Sequence, residues 1–312
     1  MTDEGANVVV GVDGSESGLR ATAWAAQTAA QWHRPLLLTS VLTPPTPYGT
    51  GIGLRPDRFV ELETEGRAWL DEARAVAERT VAGLDRTEVE TELVVGGVSE
   101  VLSERAREAF RVVVGGDRPA GETGTSASTA VALLSHTSCP LAVVRWGGDE
   151  NAEPPRHGPV VVGVDGSPAS AEAMLVAFEE AATLGSTLVA VHVEGSSARQ
   201  RLRGRHRSTW HAGEVTDRMM LTERFAGMRQ WYPEVDVEPV VTRGGPTPTL
   251  LKHAESARLL VVGTSGHAQL GGRLLGSTSH ALVRSAPCPL LIVPDPARTP
   301  ERHARWREKT GS

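Results

Sequence analysis

Three glycines and two hydroxyls in the last fifth of the chain have the types and spacing to hold an anion. Gly263-Thr264-Ser265-Gly266 is followed by nine residues and then by Gly276-Ser277-Thr278. Glycine lets backbone N–H groups approach an anion with no side chain in between. A helix starting here would add unpaired N–H groups and a partial positive charge. Ser277 and Thr278 add hydroxyl donors. Together they predict a phosphate cradle. The spacing is not a Walker A loop, because no Gly-Lys-Ser/Thr follows four spacer residues, and it is not G-x-G-x-x-G. By themselves the same glycines would also serve as turn and cap residues.

Such a cradle needs a frame, and the frame is written twice. Val8–Ser15 reads VVVGVDGS, and so does Val160–Ser167. Ser138-Cys139-Pro140-Leu141 and Pro287-Cys288-Pro289-Leu290 each precede a short apolar run, and Gly97 and Gly245 each open a helix-like stretch. The chain is therefore two copies of one module. Domains are expected at 1–147 and 158–296, joined by the Gly-, Pro- and charge-rich seam Trp146–Pro159 and followed by a tail at 297–312.

Each copy alternates strands and helices. In the second copy Val160–Val164 reads as a buried strand. Ser167 suits a helix N-cap, Pro168 the first helical position, and Gly185 the stop after Leu184. Strands are expected at Leu188–Val193, Val235–Val241, Leu259–Gly263 and Leu290–Val293. Helices are expected at Thr216–Gln230, Thr247–Ala257 and Ser277–Ser285. This alternation predicts an α/β fold with a parallel sheet and helices on both faces. Ligands of such sheets bind beyond the strand carboxyl ends, where the strand order reverses. The cradle follows the fourth strand, and Asp165 follows the first.

Composition narrows the function. The 312 residues carry a net charge of −6, and the pI is about 6.0. That balance argues against a surface devoted to nucleic acid or acidic membrane. No apolar run is long enough to span a bilayer. The acidic start MTDEGAN is unlike a signal peptide, so a soluble cytoplasmic protein is expected. Cys139 and Cys288 alone build neither a zinc site nor a disulfide framework, and both read as small buried thiols. Lysine occurs only at 252 and 309; with abundant Ala and Gly, this suggests a high-GC bacterial genome.

The string G-x-x-G-x9-G-S after a Val-rich strand, the VGVDGS start and the C-P-L end together resemble the ATP-binding universal stress proteins, in a tandem form. The resemblance spans nearly the whole chain apart from linker and tail. It implies two doubly wound, Rossmann-like, five-stranded sheets of order 3-2-1-4-5, with ATP, accompanied by Mg²⁺, between the first and fourth strands. It carries over Gly163 and Asp165, the latter beside the ribose or the phosphate-bound metal. It carries over Val193 as the backbone contact to adenine, Gly263 and Gly266 as phosphate-loop glycines, and Gly276, Ser277 and Thr278 around the β- and γ-phosphates. No residue is assigned as a protein metal ligand. Because the family associates through its last strand, the halves are expected to form an internal pseudo-dimer, with further homodimerisation open.

The first half keeps Asp13, Val41 and Gly115, with Val41 at the same 28-residue distance from Asp13 as Val193 from Asp165. It departs elsewhere. Arg118 stands where Gly266 would be. Ala127-Ser128-Thr129 replaces Gly276-Ser277-Thr278, with one residue fewer in between. A side chain at either glycine would crowd phosphates or forbid positive φ. The charge follows the motif: residues 1–150 hold 13 arginines and 22 acids, whereas residues 151–312 hold 19 basic residues and 16 acids. The half with the intact motif is the one better suited to a polyanion.

Three lesser features remain. Arg199, Arg201, Arg203, Arg205 and Arg207 alternate in the loop after the second strand, which reads as a solvated connector or as a lid over the phosphates. His192 reads as structural. His267, beside Gly266, is a candidate phosphate contact. The function expected is nucleotide-dependent regulation in a stress response. The alternative is slow ATP hydrolysis or phosphotransfer at the same site. No general base is evident, and Asp165 is the one candidate acid for such chemistry.

Overall fold

A computed structural model describes residues 6–43, 56–84, 87–116, 126–135, 137–145, 157–194, 225–264 and 276–296. The chain divides into two compact units, Met1–Arg145 and Trp146–Ser312.

In the first unit, β1 (Val8–Val12) leads to α1 (Glu16–Gln31), β2 (Leu36–Leu42), α2 (Pro56–Thr80), β3 (Val89–Val95), α3 (Val98–Arg105), β4 (Arg111–Gly115), α4 (Ser126–Leu134) and β5 (Leu141–Val144). Its strands lie in the order β3-β2-β1-β4-β5, and their pairings are parallel. In the second unit, β6 (Val160–Val164) leads to α5 (Pro168–Leu184), β7 (Leu188–Glu194), a helix α6 over 225–231, β8 (Val237–Arg243), α7 (Pro246–Ala254), β9 (Leu259–Gly263), α8 (Ser277–Ser285) and β10 (Leu290–Val293). The order is again third, second, first, fourth, fifth, and parallel. Right-handed crossovers place the first two helices of each unit on one face and the last two on the other. In agreement, α1 packs on α2, α3 on α4 and α7 on α8.

The repeated VVVGVDGS is explained locally. Its first three valines are buried at the centre of each sheet. Asp-Gly then forms the turn, with Gly14 at φ 74° and Gly166 at φ 82°, a region that favours glycine. The serine caps the helix: Ser15 Oγ accepts from the Gly18 N–H at 3.0 Å, and Ser167 Oγ from the Ser170 N–H at 3.1 Å. Gly185 ends α5 at φ 58°.

Two elements differ from the sequence reading. The strand expected at Val235–Val241 runs from Val237 to Arg243. Val235 is apolar and buried, yet its N–H closes a turn onto the Tyr232 carbonyl at 3.2 Å. The helix expected at Thr247–Ala257 is Pro246–Ala254, because Ala257 N–H bonds back to Ala254 O in a tighter turn. Of the helix expected at Thr216–Gln230, residues 216–224 lie outside the described residues.

The units also differ in how they hold their third strand. In the first, Glu92 on β3 forms a two-pronged pair with Arg105 of α3, both contacts 2.8 Å, and accepts a third bond from Thr39 on β2 at 2.7 Å. Thr39 and Glu92 are register partners. In the second unit that register pair is Val191 and Val240. The Arg105 guanidinium, more than the Thr39 hydroxyl, holds the Glu92 carboxyl below its ordinary range, against the opposing effect of burial. A depressed folded-state pKa stabilises above the unfolded value and is lost as pH falls through the folded value. Glu92→Gln is expected to destabilise the first unit by about 1 kcal/mol at pH 7, the partly exposed pair being discounted for solvent. Urea titrations should show the difference fading below about pH 4.5 and gone once Glu92 is protonated in both states.

Cys139 and Cys288 are both buried and unbridged, directly before β5 and β10. Burial pushes the Cys288 thiol up to about 12. Thiolate is the reactive form. A coloured disulfide reagent should therefore titrate neither thiol in the native chain, and both after denaturation.

Candidate functional site

The strand registers open a crevice in each unit. β6 pairs with β7 as far as Val164↔His192, but with β9 only as far as Val162↔Val261. The two strands therefore part before either ends. In the first unit β1 leaves β4 after Val10↔Val113 and stays with β2 through Val12↔Ser40. This is the point where the strand order reverses, and α/β sheets bind ligands there.

The third strand extends the second beyond the first. Val193 lies one residue past the last β6 partner and pairs on its other side with Thr242 of β8. Val41 occupies the same place, past β1 and paired with Val94. The β6-facing backbone of Val193 thus borders the crevice, while its side chain is buried.

Asp165 starts the turn beside it. Its Oδ1 accepts the Ser167 N–H at 2.9 Å, and the Gly166 N–H donates to Ser170 Oγ at 3.1 Å. Asp13 does the same in the first unit, accepting the Ser15 N–H at 3.1 Å. One oxygen of each carboxylate therefore serves the turn. His192 Nδ1 lies 2.8 Å from the Val164 carbonyl. A carbonyl only accepts, so Nδ1 carries the proton. The imidazole ties β7 to the end of β6, in keeping with the structural reading.

The glycines divide into two kinds. A Cβ on Gly163 would stand 3.1 Å from Leu250 and 3.3 Å from Val262, so its open side faces packed apolar groups. A Cβ on Gly263 would stand 2.7 Å from the Ala169 carbonyl carbon and 2.8 Å from its oxygen. Gly115 meets Ser17 of α1 at the same two distances. These glycines let the first helix of each unit lie directly on the end of the fourth strand.

Gly276 is different. It is the N-cap of α8, with φ −58° and ψ 137°, and as a glycine it supplies no side-chain cap to the helix. Its N–H donates to Thr264 O at 2.9 Å, and the Thr264 N–H donates to Val293 O at 2.9 Å. The two ends of the intervening segment are thus fastened at one point beside β9. Ser279 Oγ donates to Gly263 O at 2.7 Å and anchors the first turn of α8 to the end of β9. Ser277 is exposed and Thr278 half-buried. Gly266, His267 and the arginines at 199–207 lie outside the described residues.

Sequence reasoning missed Ser279 and Thr264. Both are buried and both fasten the α8 start. In the sequence, Ser279 is one more hydroxyl in Ser-Thr-Ser, and only its burial separates it from Ser277. In the first unit Ala130 is the buried residue in its place, and Ala127, the counterpart of Gly276, lies inside α4 rather than at its cap. Positive φ plays no part at Gly276, so alanine there would bring no backbone strain.

With this geometry in place, comparison with known proteins is specific. The profile of the Universal stress protein family matches twice, over residues 6–145 and 157–294. The chain belongs to that family, in two consecutive copies. Universal stress protein Rv2005c of Mycobacterium tuberculosis is 36% identical over 293 residues, covering 91% of this chain and 96% of the relative. Universal stress protein Rv2623 of the same organism is 30% identical over 290 residues, covering 91% and 95%. Among solved structures, a universal stress protein from Archaeoglobus fulgidus DSM 4304 superposes with a TM-score of 0.69 at 16% identity, over 95% of this chain and all of that one. That likeness is one of fold. Among the described residues no helix is long and apolar enough to cross a membrane.

Proposed function

We propose that the second unit binds ATP at the β6–β9 crevice and that the chain acts as a nucleotide-dependent regulator in a stress response. The observation that carries this reading is the start of α8. Its N-cap is a glycine, which has no side chain to cap the first-turn N–H groups, and Gly276, Thr264 and Ser279 hold the helix start at the carboxyl end of β9. An uncapped helix start is a ready anion site. The adenine would meet the Val193 backbone, and the phosphates would meet Gly276, Ser277 and Thr278. Among the described residues no three His, Cys, Asp or Glu side chains stand together. A Mg²⁺ ion would therefore be held chiefly by the phosphates, with Asp165 the nearest candidate carboxylate.

Regulation is favoured over turnover by the state of Asp165, one of whose oxygens already accepts the Ser167 N–H. Labelled ATP incubated with stoichiometric protein separates the two readings: sustained phosphate release would make the chain an ATPase. The direct test of binding is mass spectrometry of what freshly purified protein releases on denaturation, followed by calorimetry with ATP. One tight site per chain is expected. Two equal sites, or none, would overturn the assignment to the second unit. Ser277→Ala should weaken ATP binding by roughly 2- to 13-fold, the worth of one hydrogen bond, and more if the phosphate charge strengthens it.

A further inference from the structure

We infer that the turn between α1 and β2 of the first unit is a docking surface for a protein partner that presents a carboxylate beside an apolar side chain. The surface lies at the amino ends of β1 and β4, where Val8 and Arg111 are register partners. That is the opposite end of the sheet from the crevice, so the surface is independent of the ATP reading.

Five side chains build it, with Phe110 at the centre. The Arg34 guanidinium lies 5.0 Å from the centre of the Phe110 ring, and that of Arg111 lies 4.7 Å from it. The Trp32 ring stands 5.1 Å from the same ring. Arg111 also lies 5.8 Å from the Trp24 ring and 5.9 Å from that of Trp32. Phe110 and Arg111 are buried, whereas Trp24, Trp32 and Arg34 are half-buried. Two cations and three rings thus form one platform, and Arg34 is its part-exposed cation.

Trp32 Nε1 and Arg34 Nη1 are shielded from water and meet no hydrogen-bond acceptor among the described residues. No described carboxylate pairs with Arg34. Buried donors without an acceptor are destabilising. The residue between them is strained too: His33 has φ 50°, in the left-handed region that favours glycine. The second unit makes the same turn with Leu184-Gly185-Ser186, and its glycine takes φ 58°. Register places Leu259 where the first unit has Arg111. Arg258, in the place of Phe110, donates to Leu184 O at 3.4 Å. The platform therefore belongs to the first unit alone and is not required by the fold. Strain and unmet donors persist where another task uses them.

The chemistry of the platform selects the partner. Unmet donors call for an oxyanion, and the planar fork of Arg34 matches a carboxylate. Tryptophan and arginine are the side chains that most often anchor protein interfaces. The rest of the unit selects against polyanions, because residues 1–150 hold 22 acids against 13 arginines. A nucleic acid or an anionic membrane would meet that excess over a wide area. A single carboxylate on a protein segment would not, since exposed charges are screened beyond about 8 Å at physiological salt.

The test uses the full-length chain with nitrogen-15-labelled tryptophan, whose seven indole N–H groups give separate signals. Trp24→Phe and Trp32→Phe assign two of them. The probe is a synthetic acetyl-Glu-Phe-Asp-Phe-Glu-amide peptide, compared with its Gln/Asn counterpart. The acidic peptide should shift the Trp32 signal and bind at least tenfold more tightly than the neutral one. Arg34→Gln should weaken it by tenfold or more. If that variant lowers the unfolding midpoint, Arg34→Lys carries the test: it keeps the charge without the fork and should lose about fivefold. No shift at Trp32 with millimolar peptide, equal binding of the neutral peptide, or unchanged affinity in both Arg34 variants would each overturn the inference. So would tighter binding of a short oligothymidylate than of the acidic peptide. A Trp32 signal that moves on dilution of the free chain would assign the surface to a second copy. One that moves in the Asp3→Asn, Glu4→Gln double variant would assign it to the chain's own acidic start. Either result would overturn docking of a separate partner.

Discussion

Gly276→Val is expected to weaken ATP binding by at least about a hundredfold while the chain stays folded. Gly276 has φ −58° and ψ 137°, a conformation open to any residue. The substitution therefore adds no backbone strain. Valine is a poorer N-cap than glycine, which costs about 1 kcal/mol or less. At the start of α8, however, the new side chain would project among the first-turn N–H groups. Losing two hydrogen bonds to a charged phosphate, each worth about 1.5–3 kcal/mol, accounts for a hundredfold or more. Calorimetry for affinity and urea titration for stability separate the two effects. Normal ATP affinity in this variant would mean that the phosphates lie elsewhere.

Gly263→Ala is expected to act in the opposite way, through stability first. The added Cβ would stand 2.7 Å from a backbone carbon of Ala169, 2.8 Å from its oxygen and 2.9 Å from its own Cβ. Backbone atoms in the first turn of α5 cannot swing aside as a side-chain tip would. α5 must shift off β9, at a cost of about 2–3 kcal/mol in the stability of the second unit. Gly115→Ala is the matched control, since its Cβ would meet the Ser17 backbone at 2.7 and 2.8 Å. The first unit has lost Gly276 and Ser279, so an equal loss there would come from helix packing alone. Unfolding followed by circular dichroism in urea measures both. A Gly263→Ala chain with an unchanged midpoint would remove packing as the reason for glycine at that position.

The two glycines show how far the sequence reaches. Gly263 and Gly276 stand in one spacing pattern, and the pattern predicts one shared task. The structure separates them: Gly263 lies under the start of α5, and Gly276 is the N-cap of α8. No spacing rule contains that difference, because it depends on how closely α5, formed about ninety residues earlier, approaches the end of β9.

Some features were legible in full. Eight identical residues at Val8 and Val160 announced two copies of one module, because hydrophobic runs and turn chemistry are local properties. Ser167, Pro168 and Gly185 marked both ends of α5, since capping is decided within a few residues. The alternation of short strands and helices implied parallel sheets. Val235 marks where this reasoning ends: an apolar residue at the right period was placed in a turn by the backbone bond to Tyr232.

What the sequence by itself determined was therefore the repeat, the parallel α/β class, the helix caps and the half of the chain that keeps the full glycine spacing. What only the tertiary structure decided was which residues meet. Ser279 anchors α8 on Gly263, His192 ties β7 to the last carbonyl of β6, Glu92 pairs with Arg105, and Trp69 lies on Gly14. Each of these joins elements that are distant along the chain. Their approach is set by sheet register and helix packing, which arise from the whole core at once and leave no periodic trace in the sequence.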